Sequence, residues 1–444
     1  MEKVVPKRSY FRDILSVFGS NLAVTLSTLL IGIILSRVLG AAGVGLYSSI
    51  IVVPMIVIGF TQLGIRRATM VHIAAGKLNT DHIVSAVFIL LLITSVLSVL
   101  ISGLGFMFSE SRNADPVLLM LVMGTIPLVL CNVYAGGIFL GKQEILRANI
   151  LNSGPTILNL VFVIIFVWIL KLSIYGAFLG LFLGNLTMFF FVVYIIRKSY
   201  KITWKYHEGI MKSMVRLGAV FALSMFIMQL NYRIDIILLK KYSTLEQVGL
   251  YSLAVQIAEQ LWYVPYAIDT IVLTRSANAT DETLVSKTVA SILRVSFLIG
   301  LFGCFLIFIL APPLLPIIFG DEFKGSVIMV QTILPGMMFL IAFRILNSRL
   351  SGMGKPQIAI YTFIPALIIN IFLNLLWIPR FGGLGAVWAT NISYAFGAIL
   401  FTFLYLRITK MSLTNMLTYR KSDFYFFKEF KQYLNWKQSH KGES

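Results

Sequence analysis

The sequence predicts an all-α, polytopic membrane protein with about twelve transmembrane helices. Three observations predict it. Of 444 residues, 58% are hydrophobic and only 12% charged, whereas soluble chains average about 45–50% apolar and about 25% charged. The apolar residues gather in runs of about 20, the length a helix needs to cross a bilayer. The runs are continuous rather than alternating with period two, which excludes a barrel and leaves helices, whose backbone groups satisfy one another in lipid.

Twelve runs follow in order. The first six lie near 14–36, 44–65, 83–108, 116–140, 150–170 and 174–196. The second six lie near 217–239, 248–272, 289–311, 326–348, 357–378 and 384–406. The first is too long for a signal-peptide core and is expected to stay as a span. Connections are short, the longest being 197–216 and the tail 407–444, so no soluble domain is expected. Pro54, Pro127, Pro155, Pro265, Pro335 and Pro365 fall within or at the start of spans, where they permit kinks or serve static packing.

The formal net charge is +19. Basic chains often bind nucleic acid, but here the basic residues sit between apolar runs and in the tail. Sorted by side, 28 Lys and Arg fall at the termini and even-to-odd loops, and 7 in the opposite loops. That bias predicts both termini in the cytoplasm. The tail mixes Phe424, Phe427, Tyr433 and Trp436 with Lys428, Lys431 and Lys437; it reads either as an amphipathic segment on the inner leaflet or as a disordered basic tail. Cys131 and Cys304 fall inside spans with no CxxC spacing. The four histidines are too scattered to suggest a metal site.

Landmarks recur at half-chain distance. Val44-Gly45-Leu46-Tyr47-Ser48 opens the second span and Val248-Gly249-Leu250-Tyr251-Ser252 the eighth. Gly141-Lys142 follows the fourth span and Gly354-Lys355 the tenth. Tyr175-Gly176-Ala177 opens the sixth and Leu384-Gly385-Ala386 the twelfth. The pattern predicts a parallel repeat of six spans: an N-terminal lobe over 1–205, a C-terminal lobe over 206–406 and a basic aromatic tail over 407–444. Two such lobes predict a cleft between them and alternating access by rocking.

On these residues the chain resembles the polysaccharide-exporting branch of the multidrug/oligosaccharidyl-lipid/polysaccharide exporter superfamily, which includes the Wzx-type O-antigen flippases. Leu35-Ser36-Arg37-Val38-Leu39-Gly40 through Ser48, Asp235 to Leu239, Gly249 to Ser252 with Glu259 and Pro265, Gly352 to Lys355 and Gly383 to Ala386 carry the resemblance, which extends through residue 406. It implies a two-lobe, MATE-like fold. It implies transfer of undecaprenyl-diphosphate-linked oligosaccharide across the cytoplasmic membrane, coupled to a proton or sodium gradient, with no cofactor. Polysaccharide polymerase and chain-length machinery are the partners it suggests.

Ionisable groups inside spans cost about 2.5–3.5 kcal/mol each and are functional candidates. The first six spans have charge-free interiors; the second six carry Arg233, Asp235, Glu259, Asp269 and Arg344. Asn231 and Asp235 stand four apart on one helical face, as do Asn370 and Asn374. Ser252, Gln256, Glu259, Tyr263 and Tyr266 form a polar stripe.

With the resemblance in place, Arg233, Arg344, Arg66, Arg67 and Arg275 are candidates to neutralise diphosphate, which suits the bidentate guanidinium. Asn231, Tyr263 and Asn374 are candidates for sugar hydroxyls. Glu259, Asp235 and Asp269 are candidates for the coupling cation. The competing structural readings are Arg233–Asp235 and Glu259–Arg344 ion pairs, topology signals for Arg66, Arg67 and Arg275, a helix-end role for Asp269, and interhelical glue for the asparagines.

Gly136 to Lys142 nearly matches a P-loop, but Gln143 replaces the Mg²⁺-binding Ser or Thr and the segment closes an apolar span. Neither paired catalytic carboxylates nor a nucleophile–base set is visible, and the short outer loops argue against a glycan polymerase or ligase. The chain is therefore not expected to be an enzyme. A multidrug or peptidoglycan-precursor exporter of the same fold remains the alternative.

Overall fold

The computed structural model describes residues 7–76, 78–110, 114–202, 208–262, 272, 276, 282–420 and 423. All regular elements among them are helical. Helix α1 (Lys7–Thr61) carries the first two predicted spans and α2 (Ile65–Ala75) continues the second. Then come α3 (Thr80–Met107), α4 (Pro116–Gly141), α5 (Ile145–Val163) with a π-turn over Ile164–Ile169, and α6 (Ser173–Ser199). Next are α7 (Glu208–Tyr242) and α8 (Leu245–Ala258), which tightens to a 3₁₀ turn at Glu259–Trp262. Last are α9 (Glu282–Phe319), α10 (Lys324–Gly352), α11 (Ile358–Thr409), which carries the last two spans, and the short α12 (Leu413–Leu417). Every predicted span thus falls on helix among the described residues, and the protein is a multi-pass membrane protein.

The paired spans within α1 and α11 are separated by glycines. Gly40 has φ 66, ψ −177 and Gly382 φ 55, ψ −132, conformations that a side chain disfavours. Each break frees an N–H that a distant side chain accepts. Ala41 N donates to Glu322 Oε2 at 2.9 Å, and Gly383 N donates to Gln247 Oε1 at 2.9 Å.

One predicted boundary moved at a run of prolines, and another proline interrupts a helical ladder. The ninth span was expected to end near 311, yet α9 runs on through Pro312, Pro313 and Pro316. Pro312 has no N–H to give the Phe308 carbonyl; Gln331 Nε2 supplies that bond at 2.9 Å. At the far end, Arg37 donates to the carbonyls of Ile317 and Ile318. Beside Pro335, Asn391 inserts into the helical ladder. It accepts from Gly336 N at 3.1 Å and donates to the Thr332 carbonyl at 2.6 Å.

The chain divides into two compact units. One comprises Met1–Ala254, Pro312–Met329 and Ile371–Ala386; the other comprises Val255–Ala311, Val330–Asn370 and Val387–Ser444. In the first, α4 packs on α2, α3 and α6, and α5 packs on α1 and α6, around a core that includes Ile83, Leu130, Tyr134 and Ile138. Hydroxyl pairs join helices there: Thr61 with Ser98 at 2.6 Å and Thr94 with Tyr134 at 3.0 Å.

The first unit also explains the duplicated pentapeptide. A Cβ on Gly45 would stand 1.8 Å from the Leu245 carbonyl oxygen, and a Cβ on Gly249 would stand 1.9 Å from the Ala41 carbonyl oxygen. The contact is reciprocal: each copy of the motif seats its glycine against the backbone that precedes the other. Two-fold-related helices make such contacts with themselves. The P-loop-like glycines have a packing role instead. A Cβ on Gly137 would lie 2.5 Å from the Arg66 carbonyl oxygen, so this glycine seats α2 on α4.

Candidate functional site

Two polar sites form inside the first unit. The first centres on Asp235 in α7, which has no exposed surface. Tyr251, from α8, donates its hydroxyl to Asp235 Oδ2 at 2.7 Å, and Asn374 Nδ2, from α11, donates to Oδ1 at 2.5 Å. Both carboxylate oxygens thus accept from neutral donors, the charge-assisted type of bond that is strongest away from water. Asn231 and Asn370, each one turn from a network member on the same helical face, are also fully buried. The four-residue spacing read in the sequence therefore does place the amides and the carboxylate on inward faces, and it brings Asp235 and Asn374 into contact.

The second site is a cavity of about 200 Å³ lined by Arg66, Asn132, Gly136, Asn152, Pro155 and Asn185, among others. The Arg66 guanidinium lies over Gly136, where a Cβ would stand 3.6 Å from Nε. Asn132 Nδ2 donates to Asn185 Oδ1 at 3.5 Å, and Asn185 Nδ2 to the Leu181 carbonyl at 2.9 Å. Asn132 is 6% exposed, and among the described residues its Oδ1 has no hydrogen-bond partner, which leaves an open acceptor. Asn152 reaches Ser20 and Asn21 at 3.4 Å each. The cavity therefore sets a guanidinium beside three asparagine side chains. Arg66 and its neighbour Arg67 are both exposed. Among the described residues, no other candidate site residue named from the sequence lines this cavity.

In the second unit Arg344 stacks on Trp262, its Cζ 4.7 Å from the ring centroid. Glu259 opens the 3₁₀ turn that carries Trp262 and is half-buried, as is Arg233 of the first unit. Tyr263, Asp269 and Arg275 lie outside the described residues, as does most of the aromatic tail.

Sequence reasoning passed over the asparagines of the Arg66 cavity because Asn132, Asn152 and Asn185 sit in three different spans and share no spacing. It also passed over two arginines. Arg349 is fully buried, donating to the carbonyls of Ser276 and Glu282 and to Ser286. Arg294 is buried against Asp423 at 2.5 Å.

The comparisons with known proteins bear on this arrangement. The profile described as polysaccharide biosynthesis protein matches residues 10–264, more than half of the chain. The chain belongs to the polysaccharide biosynthesis protein family. The MatE profile matches residues 221–376 as well. An uncharacterized membrane protein of Methanocaldococcus jannaschii is 23% identical over 56% of this chain and 62% of its own length. A probable low-salt glycan biosynthesis flippase of Haloferax volcanii, Agl15, is 22% identical over 37% of this chain and 36% of its own. The chain thus covers less than two thirds of the curated relatives it matches.

Solved structures confirm the fold. The lipid II flippase MurJ in an inward closed conformation aligns with TM-score 0.71 at 16% identity, over 93% of this chain and 95% of that one. An inward-facing multidrug resistance MATE family transporter of the MOP superfamily aligns with TM-score 0.68 at 18% identity, over 87% of this chain and 94% of that one. The expected MATE-like fold is therefore the one observed.

Proposed function

We propose that this protein is a flippase that moves lipid-linked oligosaccharide, carried on undecaprenyl diphosphate, across the cytoplasmic membrane. The observation that carries this reading is the Arg66 cavity. A guanidinium beside an open amide acceptor and further amides suits a head group that joins phosphate to sugar, and suits an apolar drug poorly. Membership of the polysaccharide biosynthesis protein family supports it, as does the name of the Haloferax relative. The chain works as two six-helix lobes over 1–205 and 206–406, with both termini cytoplasmic, and opens alternately to each side. The reciprocal Gly45–Gly249 contact supports the underlying repeat.

Arg233, Arg344, Arg67 and Arg275 join Arg66 as candidates to neutralise the diphosphate, and Asn231, Tyr263 and Asn374 are the candidates for sugar hydroxyls. Asp235, Glu259 and Asp269 couple transport to a proton or sodium gradient. The fully buried Asp235 is the foremost of the three, because a carboxylate with two exchangeable neutral donors can trade one of them for a cation. Polymerase and chain-length proteins receive the product.

The test is surface glycan in cells that depend on the protein. Arg66→Ala, Arg233→Ala and Arg344→Ala should each abolish it while protein level stays normal. Unchanged glycan in all three would remove these arginines from the substrate path. Accumulation of a peptidoglycan precursor in the depleted cells would instead point to the related exporter class.

A further inference from the structure

A further cavity lies at neither of these sites. It is an open groove of about 1140 Å³ in the second unit, above the roughly 300–1,000 Å³ of small-molecule pockets. Its walls come from α9, α10, the end of α11 and α12. They are almost wholly apolar: Leu301, Phe305, Phe339, Ile399 and Phe403 line it and are each more than a third exposed. In a membrane protein such a surface faces lipid chains.

At one end the groove meets a polar pocket of about 220 Å³, and Arg294 lines both. This second pocket is lined by Lys287, Lys410 and Arg420, together with Ser286, Ser412 and Asn415, and among the described residues by no acid. The nearby carboxylate, Asp423, is already taken: it receives Arg294 Nε at 2.7 Å and Nη2 at 2.5 Å. Arg294 Nη1 is also spent, on the Asn415 and Met416 carbonyls at 3.1 and 2.9 Å. Arg294 therefore builds the junction, while Lys287, Lys410 and Arg420 are the exposed cations around it.

An apolar trough that ends in a cationic pocket has the polarity of a single lipid with an anionic head. We propose that the groove and pocket hold one anionic phospholipid of the bilayer, its phosphate among Lys287, Lys410 and Arg420 and a hydrocarbon chain along α9, α10 and α11. A zwitterionic head would set its own cation against three others in a pocket without acids, so the pocket selects net negative charge. The site involves neither Asp235 nor Arg66, and it stands or falls apart from the transported substrate.

Lipid retained through purification tests the assignment. The full chain in neutral detergent is offered equal amounts of phosphatidylglycerol and phosphatidylcholine, and bound lipid is read by native mass spectrometry. Phosphatidylglycerol should be retained over phosphatidylcholine by about tenfold or more. Neutralising the pocket with Lys287→Gln, Lys410→Gln and Arg420→Gln together should erase that preference. Filling the trough with Thr402→Trp should lower retention of both lipids. Unchanged thermal midpoints in lipid-free detergent show that the variants are folded, and preserved selectivity in the folded triple variant overturns the proposal. Two further results would also overturn it. One is polyprenyl diphosphate displacing phosphatidylglycerol at equal concentration, which assigns the groove to the carrier lipid. The other is phosphatidylglycerol binding only after residues 424–444 are removed, which assigns it to the chain's own tail.

Discussion

Asp235 in α7 and Arg294 in α9 are both buried, ionisable and set in apolar helices, yet their surroundings treat their charges differently. Asp235 accepts from Tyr251 and Asn374, two neutral donors that steady its oxygens. Arg294 is held by Asp423, which does cancel its charge, and by two carbonyls that use its remaining fork. Neutral donors can be exchanged at modest cost, and they suit a group that binds and releases a cation during a cycle. A buried ion pair resists exchange, because separating it strands a charge in low dielectric. On the proposed function Asp235 is the working group, whereas Arg294 is a fastening that pins the segment after α11 to α9.

The sharpest way to break this contrast is to remove one partner of the ion pair. We expect Arg294→Ala to cost about 3–5 kcal/mol, because Asp423 is left buried and unpaired. Arg294→Leu with Asp423→Leu should recover most of that loss. The thermal midpoint in detergent measures both, and proteolysis after Lys410 reports release of the segment. The same contact predicts a pH response. The Arg294 guanidinium holds the Asp423 carboxyl well below the usual carboxylate range. The stability it contributes is complete above the unfolded value of about 3.9 and is lost only as pH falls through the lowered folded value. Protease resistance of the segment should therefore be flat from pH 7 to about pH 5. A loss within that window would show that the pair is not the fastening.

A smaller effect is expected at the repeat contact. Gly45→Ala and Gly249→Ala each drive a methyl into a carbonyl oxygen, and overpacking of this kind costs about 1–3 kcal/mol. The two share one contact, so the double variant should cost less than the sum. Strict additivity would show that the reciprocal contact is not formed.

Asp235→Asn should cost less again in stability, about 1–2 kcal/mol, since one amide N–H₂ then faces a donor. Its effect on transport should be far larger than its effect on folding, the reverse of Arg294→Ala. Equal losses in both measurements would make Asp235 a structural group. Arg344→Leu loses the stacking on Trp262, about 0.5–2 kcal/mol, and should likewise be read by comparing midpoint with surface glycan.

Much of the fold was legible because lipid demands long apolar runs and because basic residues cluster in the connections between them. The duplicated pentapeptide was legible because Gly45 and Gly249 must stay bare where the backbones meet. Span ends were less so. Pro312 looks like a terminator until Gln331, in another helix, is seen to supply the missing bond. At the candidate site, helical spacing revealed that Asn231 and Asp235 share a face, and that Asn370 and Asn374 do. It could not reveal that Asn374 meets Asp235, 139 positions away. Arg294 was passed over because its position in the chain resembles a membrane edge and its partner, Asp423, lies in a tail that carries no apolar signal. The Arg66 cavity was half legible: the arginine stood out as a charge, whereas the asparagines that define the cavity are scattered over three spans.

The central claim is translocation of a sugar-phosphate head with Arg66 in its path. The purified protein in liposomes, loaded on one leaflet with a fluorescent undecaprenyl-diphosphate oligosaccharide, tests it when the opposite leaflet is probed with a membrane-impermeant quencher. Wild type and Asp423→Asn should expose the label to the far side at similar rates, and Arg66→Ala should slow it about tenfold or more, the loss of roughly one charge-assisted bond. Exposure no faster than in protein-free liposomes, or equal rates in wild type and Arg66→Ala, would contradict it.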